Sequence, residues 1–495
     1  MKLKQIIAEM GEVDAENLPD RDISGIAYDS RRVTPGMIFV AISGRNVDGH
    51  EYISRAISQG AAAVICQNEA APNARTDIIR VADTRVALAR TAAAFYAHPS
   101  DQLDVVGVTG TNGKTTVSFM TKHILESAGV STGLLGTVRY EIGERTIPAQ
   151  RTTPEALEIQ QMMRQMLRSG CQACVMEASS HGLEQNRVDQ VEFNVGVFTN
   201  LSPEHLDYHG DLESYFAAKR KLMESLRHGK KAGVAVVNID DPHGARIVRE
   251  LQDLPFVTYG RAPKANLQLK RVTVAADATL FECGVRGDTL RCRLPLIGRY
   301  NANNALAAIG AAMALGVPAP DAAKALESMP GVPGRLETVE AGQDFKVYVD
   351  YAHTDDALAN ALETVREVTS GRVLVLFGCG GDRDAGKRRR MGGVAALQAD
   401  FTVITSDNPR SEPPEQIANE IVDGHTAHCT EGLMVELDRA RAIEEIIWMA
   451  RPGDAVVIAG KGHETYQEFE NTVVPFDDRV HAREALEAME NRMGS

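Results

Sequence analysis

Apolar residues along the chain gather in short β-branched runs, and nearly every run stops at a polar loop. Val105, Val106 and Val108 form one such run. It passes through Gly110-Thr111-Asn112-Gly113-Lys114-Thr115-Thr116 into a stretch with apolar residues at Val117, Met120, Ile124 and Ala128, the spacing of one helical face. Similar runs recur at 37–41 and 61–65, at 173–176, 195–198 and 234–237, and at 347–350, 373–377, 401–405 and 455–459. Strands covered on both faces read this way, so the expectation is an α/β chain of mostly parallel sheets with helices packed on them. The proline of His98-Pro99 resists continuation of the helix before it, and Gly331-Val332-Pro333-Gly334-Arg335 reads as a hinge. Three segments result, 1–98, 99–333 and 334–495, in keeping with ~100–200 residues per domain.

Ligands of parallel sheets sit beyond the carboxyl ends of the strands, so the polar loops there carry the candidate chemistry. Strand, Gly110–Thr116 turn and helix make a phosphate cradle. Backbone N–H groups point at phosphate, Lys114 adds a compact positive charge, and a threonine hydroxyl can ligate Mg²⁺. The strict P-loop pattern wants glycine where Val108 stands; Gly107 and Gly110 bracket it, so this loop is a variant. Glu177 ends the 173–176 run at a position suited to serve Mg²⁺ near that loop. His205-Leu206-Asp207-Tyr208-His209 leaves zinc or iron binding, Mg²⁺ ligation, hydrogen bonding and packing all open. Asn238-Ile239-Asp240-Asp241 is a strand-end turn, and Lys219-Arg220-Lys221 reads by itself as a solvated helix face. Asn301-Ala302-Asn303-Asn304 opens a small-residue helix, either capping it or facing an adenine or ribose. Tyr28-Asp29-Ser30-Arg31-Arg32 and the loop from Gly44 through Arg45 and Asn46 to His50 read as loops with groups suited to a nucleotide or sugar. In the third segment the polar ends are Asp350-Tyr351-Ala352-His353, Gly378 to Asp384, Asp407-Asn408-Pro409-Arg410 and Gly460-Lys461-Gly462-His463-Glu464.

Composition narrows the partners. A formal charge of −14 argues against nucleic acid or an anionic membrane as a general partner, while local basic clusters still permit an anionic substrate. The start turns acidic too early for a signal peptide and no apolar run approaches the ~18 residues of a membrane span, so a cytoplasmic enzyme is expected. Seven scattered cysteines do not make a disulfide framework. Cys171 and Cys174 form an isolated C-x-x-C that reads as structural.

Taken together, GTNGKTT at 110–116, EASSHGL at 177–183, TNLSPEHLDYHG at 199–210, NxxNxxAA at 301–308, GRxE at 334–337, DYAHT at 350–354 and FGCGGDRDxGKR at 377–388 resemble the Mur ligases. The likeness spans all three segments in order. It implies three domains: a smaller N-terminal α/β domain for a UDP-sugar substrate, a central P-loop-type ATPase domain with a mostly parallel sheet, and a C-terminal Rossmann-like α/β domain for the incoming amino acid. It also implies ATP-dependent amide formation in peptidoglycan precursor synthesis through an acyl phosphate. ATP, Mg²⁺ and a CO₂-derived carbamate on Lys219 are the implied cofactors.

Carried over by position, Gly110, Thr111, Asn112, Gly113, Lys114, Thr115 and Thr116 hold the nucleotide phosphates, with Lys114 on the β and γ phosphates. Thr115 or Thr116, Glu177, His205 and Lys219 serve Mg²⁺, and Lys114, Glu177, His205 and Lys219 are the catalytic set. Asn301, Arg335 and Asp350 match adenine and ribose contacts. Ser30, Thr152, Thr153, Ser179, Gln185 and Arg187 match positions for the uridine substrate, UDP-MurNAc-L-Ala-D-Glu. For the acceptor, Asp407, Asn408, Pro409 and Arg410 match the diaminopimelate motif. Arg410 would pair the far carboxylate of meso-diaminopimelate, since bidentate arginine suits a carboxylate that lysine lacks. Asp407, Asn408 and Glu464 would accept from its ammonium, with Arg383 and the Gly460 backbone completing the site. A monomer without membrane insertion is expected. The family usually has proline after DYAHT, where this chain has Asp355, a residue that also suits a helix start. A lysine-adding Mur-type ligase and a non-catalytic nucleotide-binding protein are the alternatives; retention of Lys114, Glu177, His205 and Lys219 speaks against the second.

Overall fold

The computed structural model describes residues 1–11, 15–16, 18–44, 47–68, 76–470 and 472–493, with 491–493 given by backbone alone. Arg45 and Asn46 of the 44–50 loop lie outside the described residues. The chain packs as two compact units, one of Met1–Lys114, Ile124–Thr258 and Gly310–Val317, the other of Thr115–His123, Tyr259–Ile309 and Pro318–Ser495.

In the first unit a small all-parallel sheet sets Gly25–Ala27, Met37–Val40, Ala63–Cys66 and Asp77–Arg80 side by side. Ile26, Ile38, Val40, Ile65 and Ile79 form its core with helices Leu3–Met10 and Thr84–Phe95, and Ala156 and Leu157 of helix Ala156–Arg168 close it. The larger sheet runs in the order Val234–Asn238, Val195–Phe198, Asp104–Thr109, Ala173–Glu177 and Thr132–Leu135, all parallel. Arg139–Ile142 and Arg145–Pro148 then continue it antiparallel. Register pairs Thr109 with Phe198 and Val108 with Glu177, so the loops that follow these three strands leave from one edge.

In the second unit Leu267–Ala275, Ala278–Val285 and Asp288–Leu294 make an antiparallel meander. A separate sheet has the order Glu337–Thr338, Lys346–Asp350, Ala455–Ala459, Val373–Phe377, Phe401–Ile404 and Leu433–Val435, parallel except for its first pair. Alternation within these strands explains their continuous apolar runs. Val373, Val375 and Phe377 pack with helices Asp355–Val368, Gly386–Gln398 and Pro414–Thr426. Leu374 and Leu376 pack with helices Arg439–Met449 and Asp478–Met493. Every residue of Val373–Phe377 and of Ala455–Ala459 is therefore buried on one face or the other.

The α/β expectation and most strand positions hold to within a residue or two. The meander and the hairpin Tyr466–Phe469/Thr472–Pro475 are not foreseen, because their charged, half-exposed faces lack continuous apolar runs. Ala128 is exposed just past the end of helix Lys114–Ser127, and Leu125 is the buried residue of that last turn. Asn301 is not a cap: its helix starts at Arg299. Asp355 begins its helix, with Thr354 Oγ1 accepting from Ala357 N at 3.2 Å. All seven cysteines are free, and burial of Cys171 and Cys174 in a Met- and Leu-rich core fits their structural reading. Among the described residues no helix is long and apolar enough to cross a membrane.

Helices Arg439–Met449 and Asp478–Met493 are joined by a fully buried ion pair. Arg439 Nε and Nη2 donate to Asp478 at 2.7 and 2.8 Å, and Nη2 and Nη1 also reach Ala459 O and Ser406 O. Asp478→Ala leaves a buried guanidinium uncompensated and is expected to cost about 3–5 kcal/mol. Trp448, the chain's single tryptophan, lies on the first of these helices and donates to Ala485 O of the second, so its fluorescence during urea unfolding reports this transition. A midpoint unchanged from the parent would mean that the guanidinium reaches water.

Candidate functional site

The phosphate loop of the first unit is braced from the neighbouring strand end. Thr111 N donates to Asn200 O and Asn112 N to Asn200 Oδ1, each at 2.9 Å, while Thr199 Oγ1 donates to Asn112 O at 2.6 Å. Thr111 Oγ1 accepts from Ser202 N at 3.0 Å. Gly110 has φ +143°, and a Cβ there would fall 1.8 Å from Thr199 Oγ1, so only glycine fits. Gly113, at φ +89°, caps the helix that begins at Lys114. Thr115 and Thr116 are buried in its first turn.

Two lysines converge on one backbone carbonyl. Lys114 Nζ donates to Gly110 O at 2.9 Å and to Thr111 O at 2.8 Å; Lys219 Nζ donates to Gly110 O at 2.7 Å. Lys219 lies on helix Leu212–His228, on the face shared by Tyr215, Phe216, Leu222 and Met223, and is buried. Its neighbours Arg220 and Lys221 form surface ion pairs with Glu224, Glu250 and Glu184. The solvated-face reading therefore suits positions 220 and 221 and fails at 219. Burial first, and then the Lys114 charge, hold the Lys219 amine well below the ordinary lysine range, with Glu204 opposing.

Beside these lysines the rings of His181, His205, Tyr208, His209 and Tyr215 form a cluster. Centroids of His181 and Tyr208 are 4.1 Å apart, those of His181 and His205 4.9 Å, and those of His209 and Tyr215 5.1 Å. Burial, with His205 and His209 nearby, pushes His181 down to about 4. His205 sits at φ +57°; burial lowers it too, and Lys114 and Lys219 add to that. His209 Nε2 lies 3.0 Å from Ser180 Oγ. Among the described residues no group of three or more His, Cys, Asp and Glu side chains is arranged to hold a metal ion.

Glu177 is fully buried at its strand end and accepts from Thr137 N at 2.8 Å and Thr137 Oγ1 at 3.0 Å. Thr137 Oγ1 lies 3.0 Å from Thr152 Oγ1. Thr153 Oγ1 donates to Glu177 O at 2.8 Å and accepts from Ser179 N at 2.9 Å. Arg187 donates to Thr153 O at 2.8 Å and to Gln185 Oε1 at 2.7 Å, and pairs with Glu155 at 3.2 Å. Five of the six residues matched to the uridine substrate thus form one hydrogen-bonded group around Glu177. The sixth, Ser30, is buried in the turn capped by Asp29; next to that turn, Tyr28 donates to Glu158 at 2.8 Å, on the helix that follows Glu155. Arg31 pairs with Asp29 at 2.8 Å on the surface, and His50 is held by Asp48 at 2.6 Å.

In the second unit Asp350 is buried and accepts from Leu336 N and Ala352 N at 2.7 and 2.8 Å; burial raises its carboxyl, and Arg335 opposes. The Arg335 guanidinium lies 5.1 Å from the Tyr351 ring centroid and donates to Thr115 Oγ1 at 3.3 Å. Asn301 spends its amide locally, donating to Ile297 O at 2.8 Å and accepting from Asn304 at 2.9 Å.

The loops at 378–384, 405–410 and 460–464 gather at the carboxyl edge of the sheet, and the hairpin at 466–475 clasps them. Arg410, at φ +53°, donates through N to Glu468 O, and its O accepts from Glu470 N. Its Nε donates to Glu468 Oε2 at 2.8 Å and Nη1 to Gly381 O at 2.7 Å. Asn408 Oδ1 accepts from Lys461 Nζ and from Glu468 N, both at 3.0 Å, while Nδ2 donates to Glu464 Oε2 at 3.0 Å. Asn408 Oδ1 therefore already accepts two bonds, while both side-chain bonds of Glu464 fall on Oε2. Burial raises the Glu464 carboxyl; Lys461 and Asn408 oppose. A Cβ on Gly460 would lie 2.6 Å from Asp407 Oδ2. Pro409 follows Asn408 in this loop, and Arg383 is exposed.

Family profiles match along the whole order of the chain: the Mur ligase family catalytic domain at 22–96, the Mur ligase middle domain at 108–312, and the Mur ligase glutamate ligase domain at 334–462. The chain belongs to the Mur ligase family. Among curated Mur ligases, the UDP-N-acetylmuramoyl-L-alanyl-D-glutamate--2,6-diaminopimelate ligase of Syntrophomonas wolfei is 44% identical over 487 residues, 98% of this chain and 99% of that one. The enzyme of the same name from Listeria monocytogenes is 41% identical over 490 residues, with 98% and 99% covered. A solved structure of a ligase so named matches at TM-score 0.70 and 32% identity, covering 99% of both chains. MurF from Acinetobacter baumannii, at TM-score 0.67 and 22% identity, shares the Mur ligase fold, covering 99% of this chain and 98% of its own.

Sequence reasoning missed the bracing residues. Thr199, Asn200 and Tyr215 hold the phosphate loop, and Lys461 and Glu468 hold the 407–410 loop. Thr199 and Asn200 open the 199–210 motif and Lys461 lies in a strand-end loop, while Glu468 carries no signal in the sequence because its partners meet it only through the hairpin. Gly110→Ala is expected to displace Thr199 and to speed amide hydrogen exchange across 110–113 at least tenfold. Exchange at the parental rate would mean that the loop admits a methyl group.

Proposed function

We propose that the chain joins meso-2,6-diaminopimelate to UDP-MurNAc-L-Ala-D-Glu at the expense of ATP, a step in building the peptidoglycan precursor. The observation that carries this reading is Arg410. Glu468 and Gly381 hold its Nε and Nη1, and Nη2 has no protein partner among the described residues. A fixed guanidinium with N–H groups to spare suits the carboxylate that distinguishes diaminopimelate from lysine. The names of the curated relatives point the same way.

A carboxylate is a poor electrophile, and activation answers that. An oxygen of the D-Glu γ-carboxylate attacks the γ-phosphorus of ATP and ADP leaves, giving an acyl phosphate. The acceptor's neutral amine then attacks the acyl carbon, phosphate leaves from the tetrahedral intermediate, and the nitrogen sheds a proton. Positioning and charge neutralisation supply most of the rate. In this reading Lys114 swings from its loop carbonyls to the β and γ phosphates, and the amides of 110–116 cradle them. Thr152, Thr153, Ser179, Gln185, Arg187 and Ser30 hold the uridine substrate, and Asn301, Arg335 and Asp350 the adenosine. Glu464 and Asp407 receive the acceptor's far ammonium; Arg383, Pro409 and Gly460 shape that site, and Asn408 orients Glu464. The working division is 1–98 for the UDP-sugar, 99–333 for ATP and 334–495 for the acceptor, in a cytoplasmic monomer.

Glu177, His205 and the hydroxyls of Thr115 or Thr116 are a donor set that fits Mg²⁺. Bound Mg²⁺ would neutralise charge on the phosphoryl oxygens. Lys219 joins this set as a carbamate: burial and Lys114 hold its amine well below the ordinary lysine range, which favours the neutral form that CO₂ requires. The nitrogen lone pair attacks the carbon of CO₂, an N–C bond forms as one C–O π bond opens onto oxygen, and one proton leaves the nitrogen, so a neutral amine becomes an anion.

Phosphate release with UDP-MurNAc-L-Ala-D-Glu, ATP and Mg²⁺ tests the reading, with meso-diaminopimelate and L-lysine compared as acceptors. Release is expected to depend on diaminopimelate, and Arg410→Lys to lower kcat/KM for it by about 10–100-fold. Preference for lysine overturns the acceptor assignment, and no release with either overturns the reaction. Lys219→Ala is expected to abolish nearly all turnover, with no rescue by bicarbonate. Near-parental turnover would remove Lys219 from the mechanism.

A further inference from the structure

Lys461 is a buried charge that the reaction above does not use. Its side chain is fully inaccessible. Nζ donates to Asn408 Oδ1 at 3.0 Å, pairs with Glu464 Oε2 at 3.2 Å and lies 5.5 Å from the Tyr466 ring centroid. An ammonium is costly to bury, and an apolar residue of similar volume would fill the space at less cost. What the apolar residue would lack is a grip on two polar groups at once.

That grip fixes both groups. Asn408 Oδ1 faces two donors, Lys461 Nζ and Glu468 N, which sets the orientation of the amide and turns Nδ2 toward Glu464. Both side-chain hydrogen bonds of Glu464 end on Oε2. Oε1 is left over, on a carboxylate whose side chain is 18% exposed. The geometry points to Lys461 as a positioning residue for acceptor recognition: by holding Asn408 Oδ1 and Glu464 Oε2 together it reserves Glu464 Oε1 for the acceptor's ammonium. The inference rests on the acceptor reading given above.

Glu464 is surrounded by charged and titratable groups from several elements. Lys461 stands on its own loop, Asp407 and Asn408 on the loop after Phe401–Ile404, Tyr351 after Lys346–Asp350, Tyr466 on the hairpin and Arg439 on its helix. Burial raises the carboxyl, Asp407 acts in the same sense, and Lys461 and Asn408 act against both. Removal of the Lys461 charge therefore raises it further. A protonated Glu464 cannot pair with an ammonium, so acceptor binding in such a variant is lost at a higher pH than in the parent.

Lys461→Met, which keeps volume and removes charge, is the test, with phosphate release followed at varied diaminopimelate, ATP and UDP-MurNAc-L-Ala-D-Glu. The expected result is a KM for diaminopimelate raised about tenfold or more, with the KM values for ATP and the UDP-sugar within about twofold of the parent. The acid limb of kcat/KM for diaminopimelate moves to higher pH, and Lys461→Arg recovers part of the loss. Added to Glu464→Gln, Lys461→Met brings little further loss, because its effect passes through Glu464. Lys461→Gln, a shorter neutral donor, gives the same readouts should the methionine variant fail to fold. An unchanged acceptor KM, an unmoved acid limb, or equal losses toward all three substrates overturns the positioning role while the acceptor reading stands. If the unmodified protein releases no phosphate in response to diaminopimelate, the acceptor reading falls and the Lys461 proposal falls with it.

Discussion

Burial of both faces of its parallel sheets is the constraint on which the rest of this molecule depends. A strand covered above and below carries few polar side chains along its length, so polar groups collect where the strands stop. Parallel pairing then brings those stopping points to one edge. In the first unit it sets Thr109, Glu177 and Phe198 beside one another. In the second it sets Asp350 beside Ala459, with Phe377 beside Ile404. The phosphate loop and the 407–410 loop are two products of the same packing rule.

Loops gathered this way need a second layer to hold them, and that layer is built from bonds to backbone. The Gly110–Lys114 turn is held by Asn200 and Thr199 acting on amides and carbonyls that helix and sheet leave unpaired. The 407–410 loop is held by a hairpin that meets it almost as an added strand, through Glu468 and Glu470 to Arg410 and through Gln467 to Asp407 O. Arg410 keeps a left-handed backbone, uncommon for a residue with a side chain, because bonds on both sides of it fix the chain there. The guanidinium is aimed by the same contacts.

The legibility of this chain in its sequence divides along the same line. Strands with both faces buried announce themselves as apolar runs, and the glycine–lysine–threonine loop announces itself because few residue types can bind phosphate through backbone. The meander at 267–294 was hidden, since one face of it carries charges. Position 219 reads as solvated from its charged neighbours alone; the family resemblance reverses that reading, and the helix period puts it with Tyr215 and Phe216 on the inward face. Residues that hold other residues were the least legible. Thr199 and Glu468 carry no chemistry of their own, and their partners lie far away in sequence.

Lys219 and Lys461 show how far the surroundings, and not the residue type, decide what a buried lysine can do. Both are inaccessible to water. Lys461 faces a carboxylate, so its charge is answered and becomes a fixed point from which Asn408 and Glu464 are arranged. Lys219 has a carbonyl, the face of Tyr215 and another lysine beside it, and Glu204 only weakly offsets the cost of burial. Desolvation without an adequate counter-charge favours the neutral form of such an amine. A neutral amine next to a phosphate loop can form a bond to CO₂ that an ammonium cannot. One buried lysine is held by a counter-charge, and the other meets burial and a like charge that both disfavour its ammonium.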